Sequence, residues 1–419
     1  MLKRRCAGVA AAALLLALAQ PLAPPAEARA AAPTWLSRIA GDFMEAHRIT
    51  RGKGVRIALL SDGVAPGVAT LDGALEKGRD FVGTPRPKRE LGTLLASLIV
   101  GGGPTADAPL GVRGLASAAT LLPVRVYATP REPGGRAWAN RDMWDVTLAK
   151  GIRYAVDQGA QVIAVEPYSL NGHAFGGSPG GSLPAAIAYA QSKDSLVIAA
   201  AGVQETYRVA YPGVMAGVVG VGAVNEKGRR SARFTSGTTA VLLSAPGFKV
   251  PLTGPDNRLW TVWGHPVAMS WAAGAAALVR ARYPELTAAQ VVQALTSSAR
   301  HPKGKGRYDT DLGFGYVNAV GALNAARELS GKPAPPVAAK VGVVKDGAHF
   351  GERRGTVRAV PYDPAVLGGF GALTLAGLAA VVLAGWMLVR RRRWRRLPAV
   401  PEVAEAGPVA PESAGADSA

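Results

Sequence analysis

Acid–base and nucleophilic chemistry in this chain would have to come from five histidines, His47, His173, His265, His301 and His349, and from hydroxyls and carboxylates placed beside them. Hydrolysis by a serine needs a hydroxyl, an imidazole to take its proton and a carboxylate to orient that imidazole. One stretch sets two of these together: "GHPVAMSWAAGAAALV", residues 264–279, carries His265 and Ser270. Ser270 falls one turn past Pro266 inside an alanine-rich helical pattern, where its hydroxyl is expected to bond back to a helix carbonyl. His265 has no carboxylate in the local sequence to orient it. His173 lies in "NGHAFGGSPGG". That loop has neither the Lys-Ser/Thr ending nor the helix start of a phosphate cradle, so a solvated loop histidine is the expectation. The single cysteine, Cys6, precedes an apolar run instead of following it as a lipid-attachment cysteine would, and the rest of the chain has no thiol from which to make a disulfide. No cofactor and no metal site is expected.

The elements that would position these residues follow a regular alternation. "VRIALL" from Val55, "TLLPVRVY" from Thr120, "QVIAV" from Gln161, "LVIAAA" from Leu196 and "GVVGVGAV" from Gly217 are short runs of branched apolar residues and predict buried strands. "LGTLLASLIVG" from Leu91, "RDMWDVTLAKGIRYAVDQG" from Arg141 and "LPAAIAYAQSK" from Leu183 have helical periodicity. Near-continuous apolar strands separated by helices predict an α/β domain with a mostly parallel sheet covered on both faces, over residues 32–330.

The two ends of the chain differ from this domain. Residues 1–31 combine a Lys/Arg start, an apolar run and small residues around Ala26 to Ala32, as a secretory signal does. Residues 331–364 open with "GKPAPPVAAK" and predict an extended tether. Residues 365–389 are apolar for long enough to cross a bilayer, and "RRRRWRR" follows at once. Arginines beside a span mark its cytoplasmic end, which predicts a single pass with the large domain outside and residues 390–419 as a cytoplasmic basic anchor and disordered tail. The formal net charge of +19 would ordinarily raise nucleic acid as a partner. Export and the clustering of arginines at the membrane edge argue against it.

Several strings, taken together and in order, resemble the subtilisin-like serine peptidases (family S8), most closely the mycosin type found beside type VII secretion systems. They are "GKGVRIALLSDGV", "ELGTLLASLIVGGG", "GVRGLASAATLLPVRVY", "GIRYAVDQGAQVIAV", "LVIAAAGVQ", "SAPG" and "GFGYVNAVGAL", with the stretch around Pro266. The resemblance implies a three-layer sandwich around a mostly parallel sheet, with one transmembrane helix after it. It also shows four departures. The family's catalytic aspartate position is held by Ser61, with Asp62 one step on; its histidine by Leu91; its serine by Pro266; and its oxyanion asparagine by Val203. A one-residue shift along a strand turns a side chain to the other face, so Asp62 is a poor substitute while the strand continues. Leucine offers no proton acceptor, and proline has neither a side-chain heteroatom nor a backbone N–H. Loss of the nucleophile alone costs on the order of a million-fold in turnover. Glu166 and Glu205 fall near the family's substrate-binding segments; they could line a cleft, and ordinary surface carboxylates are the favoured reading. The resemblance then implies an inactive, membrane-anchored scaffold. Its partners would be membrane-embedded secretion components, with an extended peptide possible in the cleft. A peptidase using rearranged residues is the alternative.

Overall fold

The computed structural model describes residues 35–139, 144–166, 183–201, 210–230, 238–332 and 364–394. The chain divides into two compact units, residues 1–337 and 338–419. In the first, seven strands form one parallel sheet: β1 (Arg56–Ser61), β2 (Arg79–Asp80), β3 (Thr120–Arg125), β4 (Val162–Val165), β5 (Leu196–Ala200), β6 (Val218–Val224) and β7 (Leu243–Pro246), in the order β2-β3-β1-β4-β5-β6-β7. Five of these are the runs predicted from sequence. β2 has only two residues, and β7 lies in a stretch quoted above as a family motif and not as a strand.

Alternation along the strands assigns side chains to the sheet's two faces. Ile57 and Leu59 of β1 join one hydrophobic core, while Ala58 and Leu60 join another. Helices α1 (Trp35–Ala46) and α2 (Glu90–Val100) contribute to the first core. The short α3 (Gly135–Ala139) precedes α4 (Trp144–Asp157), and α4 packs with α5 (Leu183–Ser192) over the second. An antiparallel hairpin, β8 (Val250–Thr253) and β9 (Leu259–Val262), leads into α6 (His265–Arg282).

α6 is the central helix of the first face. It lies against β4, β5, β6, β7 and α2, and every residue from His265 to Arg280 is buried. Its alanines permit this closeness: a Cβ added at Gly274 would stand 2.5 Å from the Leu115 Cβ. Trp271 is the large exception, and it meets Phe43 of α1 edge-on with ring centroids 5.3 Å apart. α7 (Ala288–Ser297) begins with a reciprocal cap in which Thr287 and Gln290 each bond the other's backbone N–H, and α8 (Ala319–Leu329) is capped by Asn318.

The second unit contains α9 (Pro364–Trp394). Its stretch Gly368–Arg391 is 24 residues long with a mean hydropathy of 2.2, which is long and apolar enough to cross a membrane. The helix extends past the residues predicted as the span and includes the first arginines. Arg390 stacks over the Trp386 ring at 5.1 Å.

Candidate functional site

In open α/β sheets, ligands bind outside the carboxyl ends of the strands. That edge brings together several of the residues singled out by sequence. Ser61 is the last residue of β1, and Glu166 follows β4. Gly247, just after β7, accepts a bond from the Gly264 N–H at 2.8 Å and donates to Val224, the last residue of β6, at 3.1 Å. These two bonds hold the start of α6 at the same edge. α2 begins beside β1: a Cβ added at Gly92 would lie 2.3 Å from Ser61 Oγ and 2.2 Å from the Gly63 carbonyl oxygen. Ser61, Leu91 and Pro266 therefore stand on three elements that converge on one edge.

The start of α2 is held by a side chain from outside the helix. Its own N-cap position, Arg89, has left-handed backbone (φ 52°) and makes no side-chain cap. Asp62 supplies the missing acceptor, taking the Gly92 N–H on Oδ1 at 2.7 Å and the Leu91 N–H on Oδ2 at 3.3 Å. The strand ends at Ser61, so Asp62 is released from the alternation and turns to these amides. It is buried, and burial pushes its pKa up to about 6 against the pull of the Gly92, Leu91 and Glu90 amides; the nearby Glu132 raises it further. Ser61 Oγ accepts the Gly63 N–H at 3.0 Å. Leu91 is half-buried and packs against the first core.

Glu166 corrects the favoured expectation of a surface carboxylate. It is 6% exposed, its Oε2 has no hydrogen-bond partner among the described residues, and burial with the adjacent Asp62 charge pushes its pKa well above the ordinary carboxylate range. A third carboxylate, Glu132, pairs with Arg125 at the end of β3. Arg125 is 3% exposed and also bonds Asp80 Oδ2 at 2.8 Å, Thr84 Oγ1 at 2.5 Å and the Asp62 carbonyl oxygen at 3.2 Å. Sequence reasoning did not single out this network. Its one signal was a charged residue inside an apolar strand, the Arg125 of "TLLPVRVY".

The start of α6 is built differently. Gly264 has φ 133° and no side-chain cap is made, while Pro266 stands in the first turn, where a missing N–H leaves no helix bond unmade. His265 is buried, and burial lowers its pKa to about 4, so the ring is neutral at physiological pH. Ser270 Oγ donates to the Pro266 carbonyl oxygen at 3.0 Å, the back-bond expected from the sequence. His47 Nε2 lies 2.9 Å from the Leu115 carbonyl oxygen. His301 accepts the Lys303 N–H on Nδ1 at 3.1 Å and sets Nε2 3.2 Å from Asp309 Oδ2, a loop clasp. Cys6, His173, Val203, Glu205 and His349 lie outside the described residues.

The model of the subtilase family (Peptidase S8) matches residues 52–317 of this sequence. The chain is a subtilase. It is also of the mycosin type. The subtilase is 33% identical to Mycosin-4 of Mycobacterium tuberculosis over 339 residues, 70% of this chain and 71% of that protein. The crystal structure of MycP1 from Mycobacterium smegmatis is similar with a TM-score of 0.58 and 25% identity, covering 69% of this chain and 84% of that one. A chain in the periplasmic assembly from the ESX-5 inner membrane complex is similar with a TM-score of 0.56 and 26% identity, covering 77% and 87%.

Proposed function

We propose that this subtilase does not cut peptides and serves as a scaffold or peptide-binding component of a type VII secretion assembly at the membrane. The observation that carries the reading is the set of residues at the convergent edge. Where the family places its acid, base and nucleophile stand Ser61, Leu91 and Pro266. The last removes a hydroxyl and an N–H together. The fold around them is kept, with a central helix buried from His265 to Arg280 and a hydrophobic core on each face of the sheet. The signal at residues 1–31, domain at 32–330, tether at 331–364 and span at 365–389 would hold the domain outside the cytoplasm, with residues 390–419 inside. Support for the assembly comes from similarity to mycosins and to a chain of the ESX-5 periplasmic assembly.

The alternative, a peptidase using His265 and Ser270, has little geometry behind it. Ser270 already donates its proton within the helix, and His265 is a weak base in a buried position. The test uses the full chain in detergent, offered a fluorophosphonate probe and casein. No labelling and no cleavage are expected. Labelling abolished by Ser270→Ala or His265→Ala would sink the proposal. From the same solubilised membranes, an antibody to the chain should recover secretion-channel components; recovery of the chain alone counts against the scaffold role.

A further inference from the structure

Beside Gly63, at the same edge of the sheet, lies a half-open pocket of about 190 Å³ with an unusual wall. Three arginines line it, Arg79, Arg89 and Arg125, against one carboxylate, Asp80. Arg125 is neutralised: Asp80 and Glu132 both pair with it. Arg89 and Arg79 are not, since no carboxylate among the described residues pairs with either, and Arg79 only stacks over Phe81 at 5.7 Å. Even counting Glu132, the wall carries excess positive charge. The local backbone makes this convergence possible. Gly63 has φ +100°, and a Cβ there would come 3.1 Å from Arg89 Cγ and 3.3 Å from Arg125 Cδ, so the absence of a side chain lets the two arginine stems lie side by side. Arg89 itself sits at φ 52°, a conformation an L-residue adopts at a cost. Like charges drawn together in a concave site, two of them without a paired carboxylate, are what an oxyanion would satisfy.

We propose that this pocket binds a carboxylate, presented by an acidic side chain of a peptide lying along the carboxyl edge of the sheet. The proposal rests on the peptide-binding reading above and names the chemistry that such a peptide must carry. Arg89 and Arg79 would grip the carboxylate, and Arg125, fixed by its own network, would set the back wall.

The experiment uses the full chain in detergent and follows, by calorimetry, binding of acetyl-Glu-Glu-Glu-amide, its all-glutamine counterpart and inorganic phosphate. The glutamate peptide should bind, lose affinity as salt is added, and outcompete phosphate; the glutamine peptide should give no heat of binding. Arg89→Gln should weaken the glutamate peptide about tenfold, the typical weight of one charge-assisted contact. Arg89→Lys, which keeps the charge and loses the guanidinium fork, should fall between wild type and Arg89→Gln, and the Arg79→Gln/Arg89→Gln pair should abolish binding. An unchanged melting temperature shows that the variants fold; should Arg89→Gln fail that check, Arg79→Gln alone reads the same wall. Equal binding of both peptides, binding indifferent to Arg89, or binding of phosphate without the peptide would overturn the proposal. None of these outcomes bears on whether the chain labels with a fluorophosphonate, so failure here is distinct from failure of the inactive reading.

Discussion

The two helices that start at the carboxyl edge solve the same problem in opposite ways. Each presents unpaired N–H groups at its first turn. At α2 the donors are met by a charged group from outside, Asp62, which is itself surrounded by Glu166, Glu132 and Arg125. At α6 one donor is deleted by Pro266, and the neighbouring titratable group, His265, is held neutral. One end accumulates ionisable side chains at an energetic cost, whereas the other holds a single neutral imidazole beside a proline. The asymmetry teaches that a buried helix start can be met either by an acceptor brought from outside or by removing the donor, and that the first route gathers charged groups beneath the edge of the sheet.

The largest expected effect comes from cutting the α2 network. Arg125→Met leaves Glu132 buried without its cation and removes the tie to the Asp62 carbonyl. Breaking one side of a buried pair costs about 3–5 kcal/mol, and denaturant unfolding of the full chain should show a loss of that order. A loss under about 1 kcal/mol would mean that the network is loosely held, and the contrast between the two ends would dissolve.

A second test separates the ends by pH. His265 has its folded pKa lowered to about 4, so its contribution to stability is complete above its ordinary value near 6.5 and is lost as pH falls toward 4, on the order of 3 kcal/mol in total. Asp62 runs the other way: with its folded pKa raised to about 6, its contribution is complete below its ordinary value near 3.8 and is lost as pH rises through 6. The two trends oppose each other over much of the same interval, while Glu166, whose folded pKa is also raised, adds to the Asp62 trend. His265→Gln removes one of them. The variant should gain stability as pH is lowered from 7 to 4.5, read by thermal melts across that range. A variant profile with the same slope as wild type would show that the opposition is absent.

How much of this was legible in the sequence follows from what each feature depends on. The strands were readable because branched apolar runs are local, and five of the seven appear where expected; β2 has only two residues, and β7, Leu-Ser-Ala-Pro, carries no branched apolar run. The family strings that carry Ser61, Leu91 and Pro266 were readable because motif order survives across the matched residues 52–317. The direction of Asp62 was not, since it depends on where the strand stops: one more paired residue would have turned it away from α2. Nor was the burial of Glu166, which is set by neighbours far apart in the chain; a carboxylate at a strand's carboxyl end reads locally as a surface group.

Glu166 is also where the smallest and most discriminating effect is expected. It caps neither helix, its Oε2 has no hydrogen-bond partner among the described residues, and the charge of Asp62 lies beside it. With its folded pKa raised well above the usual range, its contribution is present in acid and is lost as pH rises through that raised value. Glu166→Gln keeps the shape and deletes the titration. The variant should melt at the same temperature as wild type at pH 5 and higher by about 3 °C at pH 8, the shift that about 1 kcal/mol produces in a domain of this size. A variant less stable at pH 8 would mean that the ionised carboxylate has a partner there, and the α2 end would then be a satisfied ion cluster instead of a strained one.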